Sequence, residues 1–109
     1  MININGEYWR VLLVSPFHPQ LMRSDGSWTI GACDDDLKTI YICEDLDLKM
    51  MKKVLCHEVT HAAMFSYNIE MNLAQEELFA DLVATYGQEI VCKTNIFFRR
   101  IKENRESLC

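Results

Sequence analysis

The sequence predicts an α+β fold: a small antiparallel or mixed sheet of about three strands packed on two or three helices, in one domain spanning residues 1–109. Two observations carry this. Up to Cys43 the apolar residues fall in short β-branched and aromatic runs broken by turn chemistry, whereas beyond Asp47 they recur every three or four residues. Strands therefore come first and helices after.

Glu7 to Val14, with Tyr8, Trp9, Val11, Leu12 and Leu13, reads as the first strand and stops at Ser15-Pro16 and a loop containing Pro19. Ser24-Asp25-Gly26-Ser27 is a turn signal, Trp28 to Cys33 a second strand, and Asp34-Asp35-Asp36 the next turn. Lys38 to Cys43 alternates polar and apolar residues as a third strand. The first helix starts at Asp47 as N-cap and carries Met50, Met51, Val54, Leu55, Glu58, His61, Ala62 and Phe65, ending near Ser66. Tyr67 to Met71 connects, with Asn68 suited to a left-handed cap. Asn72 and Gln75 form a capping-box pattern for a second helix reaching about Cys92, which tolerates Gly87 at ~1 kcal/mol. Thr94-Asn95 interrupts it. A third helix then presents Ile96, Phe97, Phe98 and Ile101 on one side and Arg99, Arg100, Lys102, Glu103 and Arg105 on the other. Met50, Met51 and Met64 read as core fillers, and Trp9 and Trp28 as buried anchors.

Half of the residues are hydrophobic and a quarter charged, which are globular proportions. The net charge of −5 argues against direct nucleic-acid binding, which favours a basic stripe. The longest aliphatic run, Val11 to Val14, is far short of the roughly 18 residues of a membrane span. No basic residue precedes Arg10 and no cleavable apolar segment follows, so a cytoplasmic location is expected. Five scattered cysteines, Cys33, Cys43, Cys56, Cys92 and Cys109, contain no C-x-x-C pair and fit free thiols in a reducing compartment. The Asp triplet is no calcium loop, because Lys38 and Thr39 stand where such a loop needs an oxygen ligand and a glycine.

The chemistry sits in the first helix, at His57-Glu58-Val59-Thr60-His61. Residues i and i+4 stack on one helix face, so both imidazoles can bind one Zn²⁺ while Glu58 lies beside the metal as a general base. Cys56, a third of a turn from His57, faces elsewhere. A catalytic zinc needs a third protein ligand and an open position. A third histidine six residues beyond His61 is absent, since that stretch carries Met64 and Tyr67. The second helix offers Glu76, Glu77 and Asp81. Glu77 and Asp81 share a face, so Glu77 can ligate the metal while Asp81 holds the far nitrogen of one histidine; Glu76 points a third of a turn away.

His57-Glu58-x-x-His61 followed by Glu77-Leu78-Phe79-Ala80-Asp81 resembles a gluzincin, with two ligands from HExxH and a third from the glutamate of ExxxD. More narrowly, Glu77-x-x-Ala80-Asp81, the preceding strand Thr39 to Cys43 and the small size resemble the ImmA/IrrE-type metallopeptidases of bacteria and their mobile elements, over roughly residues 27 to 90. Thr60 departs from the glycine common there, and no helix-turn-helix accompanies the domain. The resemblance implies a minimal zincin-like fold, zinc-dependent hydrolysis of a peptide bond in a specific protein, and a transcriptional repressor of a phage or mobile element as the substrate. It also implies that the strand Thr39 to Cys43 offers its edge to an extended substrate. Tyr67, Tyr86 and His18 are candidate oxyanion donors. Two other readings stay open: a zinc-stapled interaction module, anti-repressor or antitoxin-like, with Arg99, Arg100, Lys102 and Arg105 as its partner surface, and a zinc hydrolase of a small amide.

Overall fold

In the computed structural model, which describes residues 1–108, every residue of the strand Thr39–Cys43 is buried. Cys109 lies outside the described residues. Numbered in chain order, the strands are β1 (Ile2–Ile4), β2 (Glu7–Val14), β3 (Gly31–Asp34) and β4 (Thr39–Cys43), in the order β1-β2-β4-β3. β4 pairs parallel with β2 and antiparallel with β3, so the sheet is mixed and β4 is central. Its two faces pack differently. Ile40 and Ile42 join Ile4, Trp9, Val54 and Ala62 in the main core, while Tyr41 and Cys43 pack with Leu21 of a short 3₁₀ turn, Pro19–Leu21, on the other side. A strand covered on both faces needs no polar alternation, and this explains why Thr39 is fully buried.

The fourth strand, β1, is absent from the sequence reading. It is only three residues long, but Asn5-Gly6 after it is a two-residue hairpin turn with φ of 51° and 83°, both in the left-handed region that this turn demands. Asn5 Nδ2 also donates to Ser66 O at 3.0 Å, tying the hairpin to the end of the first helix. The second expected strand is displaced: pairing begins at Gly31, and Trp28 makes only an isolated bridge to Met22. Trp28 is 44% exposed and packs edge-on to Phe17, so it is no buried anchor, whereas Trp9 is fully buried. The central position of β4 also overturns its role as a substrate-binding edge. Its hydrogen bonds are used on both sides, and the open edge near the helices is β3.

Helix α1 (Leu48–Ser66) starts where expected, with Asp47 Oδ1 accepting from Met50 N at 2.8 Å. It buries Val54, Glu58, His61, Ala62 and Met64. Met51 packs against the main core and Met64 is buried, but Met50 is exposed, so two of the three methionines are interior. Asn68 (φ 54°) turns the chain, and Asn72 and Gln75 close the capping box that opens α2 (Leu73–Leu82). The helical path then differs from expectation. A π turn, Val83–Gly87, leads directly into α3 (Gln88–Leu108), with no break at Thr94-Asn95. Thr94 is accommodated because its hydroxyl donates to Ile90 O one turn back, at 2.8 Å. Ile90, Phe97, Phe98 and Ile101 of α3 are all more than half exposed. No helix among the described residues is long and apolar enough to cross a membrane.

Candidate metal centre

Three elements meet at the site. α1 carries His57, Glu58 and His61 on the face that looks toward β3, and α2 returns past it to bring in Glu76, Glu77 and Asp81. The approach of β3 to α1 is close because Gly31 has no side chain: a Cβ there would lie 2.6 Å from Val54 Cγ1 and 3.1 Å from Glu58 Cγ. Thr60, where a glycine was the commoner residue in the resemblance, donates its hydroxyl to Cys56 O at 2.8 Å and leaves the helix continuous.

The histidine rings converge. His57 Nε2 and His61 Nε2 are 3.1 Å apart, and Glu77 places one carboxylate oxygen 3.3 Å from the first and the other 3.0 Å from the second. On the far side of each ring stands another carboxylate: Asp81 Oδ1 lies 2.9 Å from His57 Nδ1, and Glu76 Oε1 lies 2.7 Å from His61 Nδ1. Each ring thus has a carboxylate at both nitrogens, and in the tautomer whose Nδ1 donates to Asp81 or Glu76, each Nε2 presents a bare lone pair. In that tautomer two nitrogen lone pairs and a carboxylate point at one spot, an arrangement that favours a cation among them. The spacing suits one. Tetrahedral ligands about 2.0–2.1 Å from a zinc ion stand about 3.3 Å from each other. His57, His61 and Glu77 are the one set of three or more potential metal ligands brought together among the described residues.

Glu58 lies at the wall of this cluster, 6% exposed. Burial pushes its carboxyl above the ordinary range, the two histidines oppose that shift, and Glu77 adds to it. Cavities of about 340 and 280 Å³ adjoin the cluster, and both are lined by Arg23, Thr29, Gly31, His57, Glu58 and Glu77. Cys33 lines the smaller one, where burial first, and then the charge of Glu58, pushes its thiol upward and keeps it a poor nucleophile.

The structure thus brings together all five residues singled out in the sequence, and adds Glu76, Gly31 and Arg23. Glu76 was read as pointing away. It does point away from the Nε2 atoms, but into the far side of His61. The doubled glutamate Glu76-Glu77 was the available signal; Arg23 and Gly31 come from a loop and a strand edge that carry no motif. The three candidate oxyanion donors stand outside both cavities. His18 accepts from Gln20 N and lies against Tyr41, and Tyr67 and Tyr86 are exposed at the end of α1 and in the π turn. Cys56, as expected, faces elsewhere, with Sγ 3.9 Å from Val83 O.

Two helix histidines and a glutamate from the next helix form a group that could hold a metal ion, with the buried carboxylate of Glu58 beside it. The family model described as "Predicted Zn-dependent protease (DUF2268)" matches residues 1–80, and the chain belongs to that family. The matched segment contains His57, Glu58, His61, Glu76 and Glu77; Asp81 is the residue just beyond it. No curated protein and no solved structure matches the chain.

Proposed function

We propose that this protein is a zinc-dependent peptidase of gluzincin type, acting in the cytoplasm on a peptide bond of a specific protein substrate. The observation that carries the reading is the convergence of His57 Nε2, His61 Nε2 and the Glu77 carboxylate, 3.0–3.3 Å from one another, the separation of ligands around one tetrahedral zinc. His57, His61 and Glu77 would hold the ion, with Asp81 fixing His57. A bound zinc supplies Lewis acidity, which brings the pKa of a coordinated water near ~7 and polarises a carbonyl.

The remaining work belongs to the chain. Glu58 takes the proton from the attacking water and delivers it to the departing amine, and its burial raises its basicity for that task. An extended substrate adds to the open edge of β3. Because Ile30 O accepts from Cys43 N, the alternation of an antiparallel ladder turns the backbone groups of Gly31 and Cys33 outward, toward such a strand. Arg23 lines both cavities and is the cation best placed to meet a substrate carbonyl or carboxylate. The resemblance to ImmA/IrrE-type enzymes favours a repressor of a phage or mobile element as the substrate.

The test is metal analysis of the purified protein together with cleavage of a mixed peptide pool read by mass spectrometry. One zinc per chain is expected, and Glu58→Gln should retain it while cleavage falls by at least ~10²-fold. Undiminished cleavage by Glu58→Gln would refute the general base, and zinc retained without cleavage by the wild type would favour the stapled interaction module.

A further inference from the structure

We propose that Glu76 is a positioning residue for metal capture: it holds His61 in the one tautomer that can ligate, and in this it outweighs the Asp81 contact to His57. The inference rests on the zinc reading above. His61 is gripped at both ring nitrogens by consecutive glutamates, with Glu76 2.7 Å from Nδ1 and Glu77 3.0 Å from Nε2. Those contacts compete for the single hydrogen of a neutral imidazole. With the hydrogen on Nδ1, Glu76 is satisfied and Nε2 is free to bind a metal. With it on Nε2, the ring donates to Glu77 instead, and two of the three ligands are closed against each other. Glu76 therefore decides between an open and a self-blocked site.

Exposure ranks the two orienting carboxylates. The side chain of Glu76 is 21% exposed and its contact is at the short end of the charge-assisted range, whereas Asp81 is 70% exposed and Glu77 49%. Water competes for Asp81 far more than for Glu76. A partly buried carboxylate with no partner would also be a cost to the fold, and His61 Nδ1 is its only hydrogen-bond or ion-pair partner among the described residues.

Zinc affinity measured by competition with a chromophoric chelator tests the proposal without reference to cleavage, and two-dimensional ¹⁵N–¹H spectra of the metal-free protein report the His61 tautomer. Glu76→Ala and Glu76→Leu should each weaken zinc by about 10–100-fold and move the His61 hydrogen to Nε2, while Asp81→Ala weakens zinc less. Wild-type affinity in both Glu76 variants, an unchanged His61 tautomer, or a loss no greater than that of Asp81→Ala overturns the proposal. A wild-type protein that binds no zinc would instead overturn the function on which it rests.

Discussion

Gly31→Ala tests how closely β3 and α1 must approach for the site to work. The added Cβ would lie 2.6 Å from Val54 Cγ1, about 1 Å inside an ordinary carbon contact, and 3.1 Å from Glu58 Cγ. β3 is pinned to β4 by its ladder, and Val54 is 8% exposed in the core, so neither neighbour yields freely. Overpacking of this kind costs about 1–3 kcal/mol, which for a chain of this size lowers Tm by roughly 4–12 °C. The strain also falls on Glu58, and a shift of about 1 Å in a catalytic group can cost ~10²-fold in rate. Calorimetry of Gly31→Ala, Val54→Ala and the double variant separates the causes. If the Val54 methyl is the obstacle, the double variant is more stable than the sum of the single effects by at least ~1 kcal/mol. A Gly31→Ala protein with wild-type Tm and wild-type cleavage, or strict additivity in the cycle, would refute the reasoning.

Glu58→Gln should stabilise the metal-free protein at neutral pH. The folded pKa of Glu58 is raised above the unfolded value of 4.5, so folding favours the protonated carboxyl; that advantage is full below pH 4.5 and disappears as pH rises through the folded pKa. The Tm difference between variant and wild type should accordingly be small at pH 4 and widen toward pH 7, and a constant difference would contradict it. Ser66→Ala removes the acceptor of the buried Trp9 Nε1–H bond at 2.8 Å, and should lower stability by about 1–3 kcal/mol in a urea titration. An unchanged urea midpoint would show that the indole finds another partner.

The starts of the first two helices and the clustering of His57, His61 and Glu77 were legible because their signals are local. A cap at Asp47, a capping box at Asn72 and Gln75, and the spacings 57-58-61 and 77-81 each lie within one helical turn, where geometry follows from residue number. Sheet order was not legible. Nothing within Thr39–Cys43 says that β2 will lie on one side and β3 on the other, and so the edge was assigned to the wrong strand. Glu76 illustrates the same limit on a smaller scale. Helix phase correctly turns it away from Glu77, but whether it finds solvent or the back of His61 depends on how α2 lies against α1. Thr94-Asn95 misled for the opposite reason: local propensity suggested a break, and a back-bond within the helix absorbed it.

The π turn has a consequence for how this chain can change length. A π turn holds one residue more than the α-helical path it replaces, so loss of a single residue within Val83–Gly87 would restore a regular helix. Everything after it would keep its bearing, because the extra residue is absorbed within the turn itself, and the apolar stripe of Ile90, Phe97 and Ile101 would face as it does now. Residues 57 to 81, and the site they build, would stay where they are. The turn is therefore where this chain can differ in length by one residue without changing what α3 touches or what the site does, whereas a deletion in the regular helix beyond it would turn the rest of α3 by about 100°.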